Sequence, residues 1–282
     1  MKDPQLNDQA LQLLRRQIKA WPLAAANYAA LSQVETKKLS INGFEFLVQF
    51  NPSRISSSAA DTDPQAIQNR KCFLCTRHLP PKQEILSWYL SKYNRAYNIL
   101  CNPYPIFPLH LTITSKRHIP QQLFRRMGDM FKLAEQLSDF VIFYNGSKCG
   151  ASAPDHFHFQ AGNKGFLPIQ FLVENGTSLE HYPVSVSVYK SEQVSNMVSF
   201  FRFHHKNDSM LNLLCWKTGK MFCMVAFPRK LHRPVQFYAK GEANILLSPA
   251  TIDLAGVLIT PLKKDFCKLS AADVSDIFTQ IS

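Results

Sequence analysis

The sequence predicts an α+β fold, an antiparallel sheet with helices packed against it. Three observations carry this reading. Asn42-Gly43 separates two β-type runs, 38–41 and 44–50, a strong two-residue hairpin signal. Residues 121–139 repeat Leu123, Met127, Met130, Phe131, Ala134 and Leu137 at the three-to-four spacing of a helix face. Beyond them lie an apolar strand run at 141–144 and a second run at 155–160 in which polar and aromatic residues alternate.

The remaining elements follow in chain order. Residues 6–31 place Leu11, Leu13, Leu14, Ile18 and Trp21 at helical spacing, and Pro22 interrupts them. Proline lacks an N–H and crowds the preceding turn, so two helical pieces are expected. Residues 51–63 are polar and Ser-rich, a mobile connector first and a substrate-covering loop second, from which Arg54 could reach a phosphate. Residues 85–93 are short and mixed, and 97–101 and 109–114 read as strands. After Gly162, strands are expected at 184–189 and 221–227 and a helix at 192–200. A terminal helix at 270–281 starts from Ser270 as N-cap, with Asp273 three positions later. No clean internal repeat is present.

Composition narrows the function classes. No run of about 18 apolar residues occurs, so no membrane span is expected. The first eight residues lack the apolar core of a signal peptide. Seven cysteines, an odd count without scaffold spacing, point to a reducing cytoplasm. The net charge of +12 calls for an anionic partner. Because no run of five basic residues occurs and no nucleic-acid module is visible, phosphorylated small molecules fit better than nucleic acid.

The segment Asp155-His156-Phe157-His158-Phe159-Gln160 carries the chemistry. In a strand, alternate side chains share a face, so His156, His158 and Gln160 would line one side and both phenylalanines would enter the core. Neutral imidazole is a nucleophile and a metal ligand near neutral pH. An amide hydrogen-bonds a charged intermediate but cannot ionise. Upstream, residues 145–152 form a loop of small residues whose backbone a phosphate can approach. The competing reading is a strand with one solvated face on which histidines fall by chance.

This segment resembles the signature of the histidine-triad superfamily, in the branch whose last triad position is Gln. That branch holds galactose-1-phosphate uridylyltransferases, dinucleoside tetraphosphate phosphorylases and GDP-hexose phosphorylases. Residues 102–120, with Asn102 eight positions before His110, independently resemble the family's strand pair, and together the matches span roughly 93–165. The resemblance implies a histidine-triad-like sheet built as two related halves. Residues 1–36 would be an N-terminal helical segment, 37–165 the catalytic half and 166–282 a degenerate half without His-x-His. Stretches at 213–216, 227–230 and 256–266 are similar to GDP-hexose phosphorylases.

By the same resemblance His158 attacks the α-phosphorus and carries a nucleotidyl group, with Gln160 on a phosphoryl oxygen and His156 beside it. Hydrolytic members have His in place of that Gln, so transfer is favoured over hydrolysis. Asn102 would meet the ribose, Asn145 a phosphate or ribose oxygen with Ser152 donating to the same group, and Gly146 would join them in binding substrate. Ser152 stands four positions before His156 where most relatives have three. Arg229 and Lys230 are further phosphate candidates. The uridylyltransferases hold zinc through positions matching Cys72, Cys75, His118 and His156, a structural site because four protein ligands leave none open. His110 and His78 are alternative third ligands, and a metal-free redox pair is the competing reading of Cys72 and Cys75. No organic cofactor is expected.

Cys101, Cys149, Cys215, Cys223 and Cys267 read as buried small hydrophobes. His204 and His205 would face opposite sides of any strand, and they join His181 and His232 as ordinary histidines. The expected function is nucleotidyl transfer from a nucleoside diphosphate-sugar to phosphate or a sugar 1-phosphate. A dinucleoside polyphosphate phosphorylase and a non-catalytic nucleotide-binding protein are the alternatives. No nucleic acid or membrane partner is expected, and a homodimer is one open option.

Overall fold

The computed structural model describes residues 5–282, so the first four residues of the expected leaderless N-terminus lie outside it. Its strands are β1 (Glu35–Ile41), β2 (Phe44–Phe50), β3 (Leu86–Leu90), β4 (Arg95–Cys101), β5 (His110–Ser115) and β6 (Phe140–Asn145). They continue as β7 (His158–Asn163), β8 (Ser187–Ser191), β9 (Leu211–Thr218), β10 (Met221–Pro228) and β11 (Val257–Thr260). Eight of them form one antiparallel sheet in the order β3-β4-β5-β7-β6-β9-β10-β8. The other three form a small sheet, β1-β2-β11, in which β11 runs parallel to β2. This is the α+β arrangement expected, and strands from 37–165 and 166–282 share both sheets.

Strand alternation divides the core by face. Ile142, Tyr144, Phe157 and Phe159 pack on one side with helices Leu6–Ala20, Pro22–Leu31 and Met127–Gln136. Val141 and Phe143 pack on the other with the small sheet and helix Ala271–Ile281. The site lies on this second face, where β4, β5 and β7 project polar side chains.

Local signals act as their chemistry requires. Pro22 opens the second helix, where its missing N–H costs nothing, and Trp21 before it is extended. Asn42 and Gly43 have φ of 52° and 83°, the left-handed pair a two-residue hairpin turn demands. Ser270 and Asp273 form a reciprocal capping box.

Several expectations are corrected. The helix expected over 121–139 is Met127–Gln136, because the N–H groups of Leu123 and Phe124 donate to the Asp208 carboxylate instead of building a turn. Residues 51–63 contain the turn Pro52–Arg54 and helix Ile55–Ser58, and several of them line the cavities described below. His204 ends helix Val194–His204 and His205 caps it, so neither lies on a strand. Cys267 is exposed, on the outer side of the short helix Lys263–Lys268.

Candidate active site

β7 begins at His158, and its alternation places His158 and Gln160 on the open face with Phe159 behind them in the core. His156 does not share that face. It sits in the turn before β7, where its N–H donates to Ala153 O, and its ring points to Cys72 and Cys75. The residue still serves His158 through its backbone. The Nδ1–H of His158 donates to the His156 carbonyl at 2.9 Å, since a carbonyl can only accept. The lone pair is thereby left on Nε2. Burial holds the His158 pKa down at about 4, so the ring is neutral at pH 7.

A buried glutamine braces this geometry. Gln121 accepts the His158 N–H at 2.8 Å and donates to the carbonyls of His158 and Asn145, each at 3.0 Å. It ties β6 to β7 at the point where the imidazole emerges.

Gln160 is oriented by His110 on the neighbouring strand. Ile106 N–H donates to His110 Nδ1 at 3.1 Å, which places the ring proton on Nε2. That Nε2–H then donates to Gln160 Oε1 at 3.0 Å. Burial, and next the nearby Arg54 charge, push the His110 pKa down to about 3, so the ring stays neutral. With its oxygen engaged, Gln160 turns its N–H₂ toward the open face. His110 is therefore an orienting residue, not a metal ligand.

Two cavities meet at this wall. The larger, about 360 Å³, has apolar sides including Phe73, Leu74, Leu79, Leu100 and Tyr104, with His158, Gln160 and Ser152 at its polar end. The smaller, about 70 Å³, is lined by Arg54, Asn145, Ser152, Gln160, His232 and Arg233 among others. Arg54, Ser57, Ala60, Ser152 and Gln160 border both.

The expected substrate contacts divide. Ser152 lines both cavities. Asn145 accepts at Oδ1 from Asn212 Nδ2, Thr251 N and Thr251 Oγ1, which leaves its N–H₂ end for the small cavity it borders. Asn102 reaches the larger cavity, with Oδ1 accepting from Tyr104 N and Nδ2 donating to Thr112 Oγ1. Gly146 is corrected: its N–H is spent on Leu211 O, and a Cβ there would lie 2.5 Å from Ser209 O. The position is one of close backbone packing. Arg229 is corrected too. It is buried, and its five N–H donors go to Ile281 O, Asn212 Oδ1, Pro249 O, Leu231 O and His232 O. No donor remains for a substrate. Lys230 is exposed and lines neither cavity.

Cys72, Cys75, His118 and His156 converge, with their ligand atoms all within 4.8 Å of one another. His156 Nδ1 lies 3.3 Å from Cys72 Sγ and 3.6 Å from Cys75 Sγ, and His118 Nδ1 lies 3.2 Å from Cys75 Sγ. Tetrahedral zinc with ordinary Zn–S and Zn–N bonds sets S···N edges of about 3.6 Å, so the group could hold that metal. His156 Nε2–H donates to Ser115 O at 2.7 Å, which frees Nδ1 for a metal. His78 instead donates through Nδ1 to Cys72 O.

Sequence reasoning missed Gln121, His232, Arg233 and the orienting role of His110. Only His110 left a trace, the alternation of His110, Thr112 and Thr114 along one strand face. Together the sheet order, the paired cavities and the His158–Gln160 wall define an α+β protein of the histidine-triad-like fold. The chain belongs to the family described as Domain of unknown function (DUF4922), whose model matches residues 13–163. No curated protein matches it in sequence.

Solved structures share its fold. A crystal structure of yeast Ap4A phosphorylase Apa2 is 12% identical, with a TM-score of 0.60 over 92% of this chain and 95% of that one. Its complex with Ap4A is 16% identical, with a TM-score of 0.62 over 96% of each chain. Its complex with AMP is 15% identical, with a TM-score of 0.56 over 95% of each chain. At such identities the likeness is one of fold. No helix among the described residues is long and apolar enough to cross a membrane.

Proposed function

We propose that this protein is a phosphorylase-type nucleotidyltransferase acting through a covalent nucleotidyl-His158 intermediate. One observation carries the reading: a neutral imidazole, its Nδ1–H tied to a carbonyl, faces a nucleoside-sized cavity beside an amide whose N–H₂ is turned to the same place. The His158 Nε2 lone pair attacks the α-phosphorus, and an N–P bond forms as the bridging P–O bond breaks. The electron pair leaves on the departing phosphate oxygen. An oxygen of the acceptor phosphate then attacks, and the N–P pair returns to Nε2. Gln160 donates to a phosphoryl oxygen throughout and has no proton to give a leaving group.

A dinucleoside polyphosphate is the leading donor, supported by the fold likeness to Ap4A phosphorylase across 92–96% of the chain. A nucleoside diphosphate-sugar is the second reading. It is supported by the GDP-hexose phosphorylase-like stretches, which form β9, the end of β10 and β11. In this proposal residues 37–165 supply the catalytic half and 166–282 a degenerate one. Zinc on Cys72, Cys75, His118 and His156 would be structural, fixing the turn that carries His156. Free cysteines throughout suit a reducing cytoplasm.

The test is adduct formation. Protein incubated with α-labelled Ap4A, GDP-hexose or UDP-hexose should acquire an acid-labile nucleotidyl label from at least one donor. His158→Ala should abolish the label and His204→Ala should retain it. No label from any donor would leave nucleotide binding without turnover as the reading.

A further inference from the structure

We infer that the smaller cavity is an oxyanion subsite. It receives the phosphate that departs from the nucleotidyl group and then the inorganic phosphate that replaces it, with Arg54 and Arg233 supplying the charge. The chemistry rests on the phosphorylase reading; the binding does not.

Position is the first argument. The small cavity shares Gln160, Ser152 and Arg54 with the larger one. A nucleotide whose α-phosphate sits at Gln160 therefore directs its next phosphate into it. Departing and accepting oxygens must occupy the same place, because each lies opposite His158 Nε2 in its own displacement.

Charge and open donors are the second. Arg54 spends Nη1 on Tyr104 O, and its Nε–H is buried with no partner. Arg233 donates through Nε to Ser248 Oγ and through Nη2 to Ala60 O, leaving Nη1. Ser248, an acceptor from Arg233, keeps its own O–H to donate. Asn145 adds its N–H₂ end. The carboxylate in the lining, Asp253, has its oxygens engaged by Ala250 N and Ile259 N. Two guanidiniums and several unspent donors in a small polar space suit a compact oxyanion.

At about 70 Å³ the space is roughly a fifth of the nucleoside cavity, a compact volume beside the wall the two share. Arg229 has a structural part here. Its bonds to Leu231 O and His232 O hold the loop that presents His232 and Arg233 to the cavity.

Calorimetric titration with inorganic phosphate tests this on the full-length protein. Wild type should bind phosphate. Arg233→Gln should bind it about tenfold more weakly, the loss of one charged contact, and Arg233→Lys should recover part of the difference. AMP, which fills only the nucleoside side, should bind all three proteins within about twofold. No phosphate binding by wild type, or equal binding by Arg233→Gln, would overturn the subsite. Phosphate binding that depends on Arg233, in a protein forming no nucleotidyl adduct, would uphold the subsite and overturn the phosphorylase reading.

Discussion

The carbonyl oxygen of His156 accepts the Nδ1–H of His158 at 2.9 Å, while the ring of His156 lies 3.3 Å from Cys72 Sγ. One residue thus joins the cysteine cluster to the imidazole that faces the cavity. Whatever fixes the ring of His156 also fixes the carbonyl that sets the tautomer of His158.

Loss of the cluster should therefore be felt at His158. Wild type is expected to carry zinc at this cluster, and Cys72→Ser to lose it and to slow adduct formation about 10–100-fold, the usual range for lost support around a metal site. Metal analysis beside the adduct rate checks this. Full adduct formation in a zinc-free variant would contradict it.

In the proposed reaction Gln160 sets the fate of the intermediate. Gln160→His restores a side chain able to pass a proton, so the product ratio should shift from transfer toward hydrolysis. Chromatography of the products with and without added phosphate measures it. His110→Phe removes the donor that orients Gln160. It should slow adduct formation about tenfold, as one misdirected hydrogen bond would, while AMP binding is retained.

His110 also makes stability pH-dependent. Its pKa of about 3 lies below the ordinary 6.5, so the folded state favours the neutral ring. As pH falls, the unfolded chain takes up the proton first. The contribution is complete above about pH 6.5 and is lost progressively toward pH 3. Urea midpoints measured from pH 8 down to 4 should fall below about 6.5, and less steeply in His110→Asn. Equal slopes for the two proteins would refute the assignment.

Gly146→Ala forces a methyl against Ser209 O and Cys149 Sγ, at 2.5 and 2.7 Å. Overpacking of this kind costs about 1–3 kcal/mol, and each kcal/mol lowers the melting temperature by about 2–4 °C in a chain of this size. Differential scanning calorimetry reads the shift. An unchanged melting temperature would show that the loop yields.

The legible parts of this molecule were those set by local pattern. Alternation placed Phe157 and Phe159 in the core and His158 with Gln160 on the open face, and Asn42-Gly43 and Ser270–Asp273 marked their turn and cap. What was hidden depends on distant partners. Asp208 draws Leu123 and Phe124 out of a helix that their spacing alone would continue. Arg229 and Arg233 stand four positions apart on one loop, and only the fold decides that the first is enclosed by carbonyls and the second borders a cavity. The turn before β7 sends His156 away from the face that strict alternation would give it. Cys72 and Cys75 found His118 and His156 through family resemblance, since no local spacing joins them.

The parallel pairing of β11 on β2 carries a consequence for synthesis. Thr260 donates through Oγ1 to Gln49 O across 211 positions of chain. During translation the hairpin must therefore wait, one border of its ladder open, until residues 257–260 have left the ribosome. A nascent chain stalled before residue 257 exposes that border as a template for pairing with neighbours. Truncated products are accordingly expected to demand chaperones and to precipitate, whatever the state of the pockets.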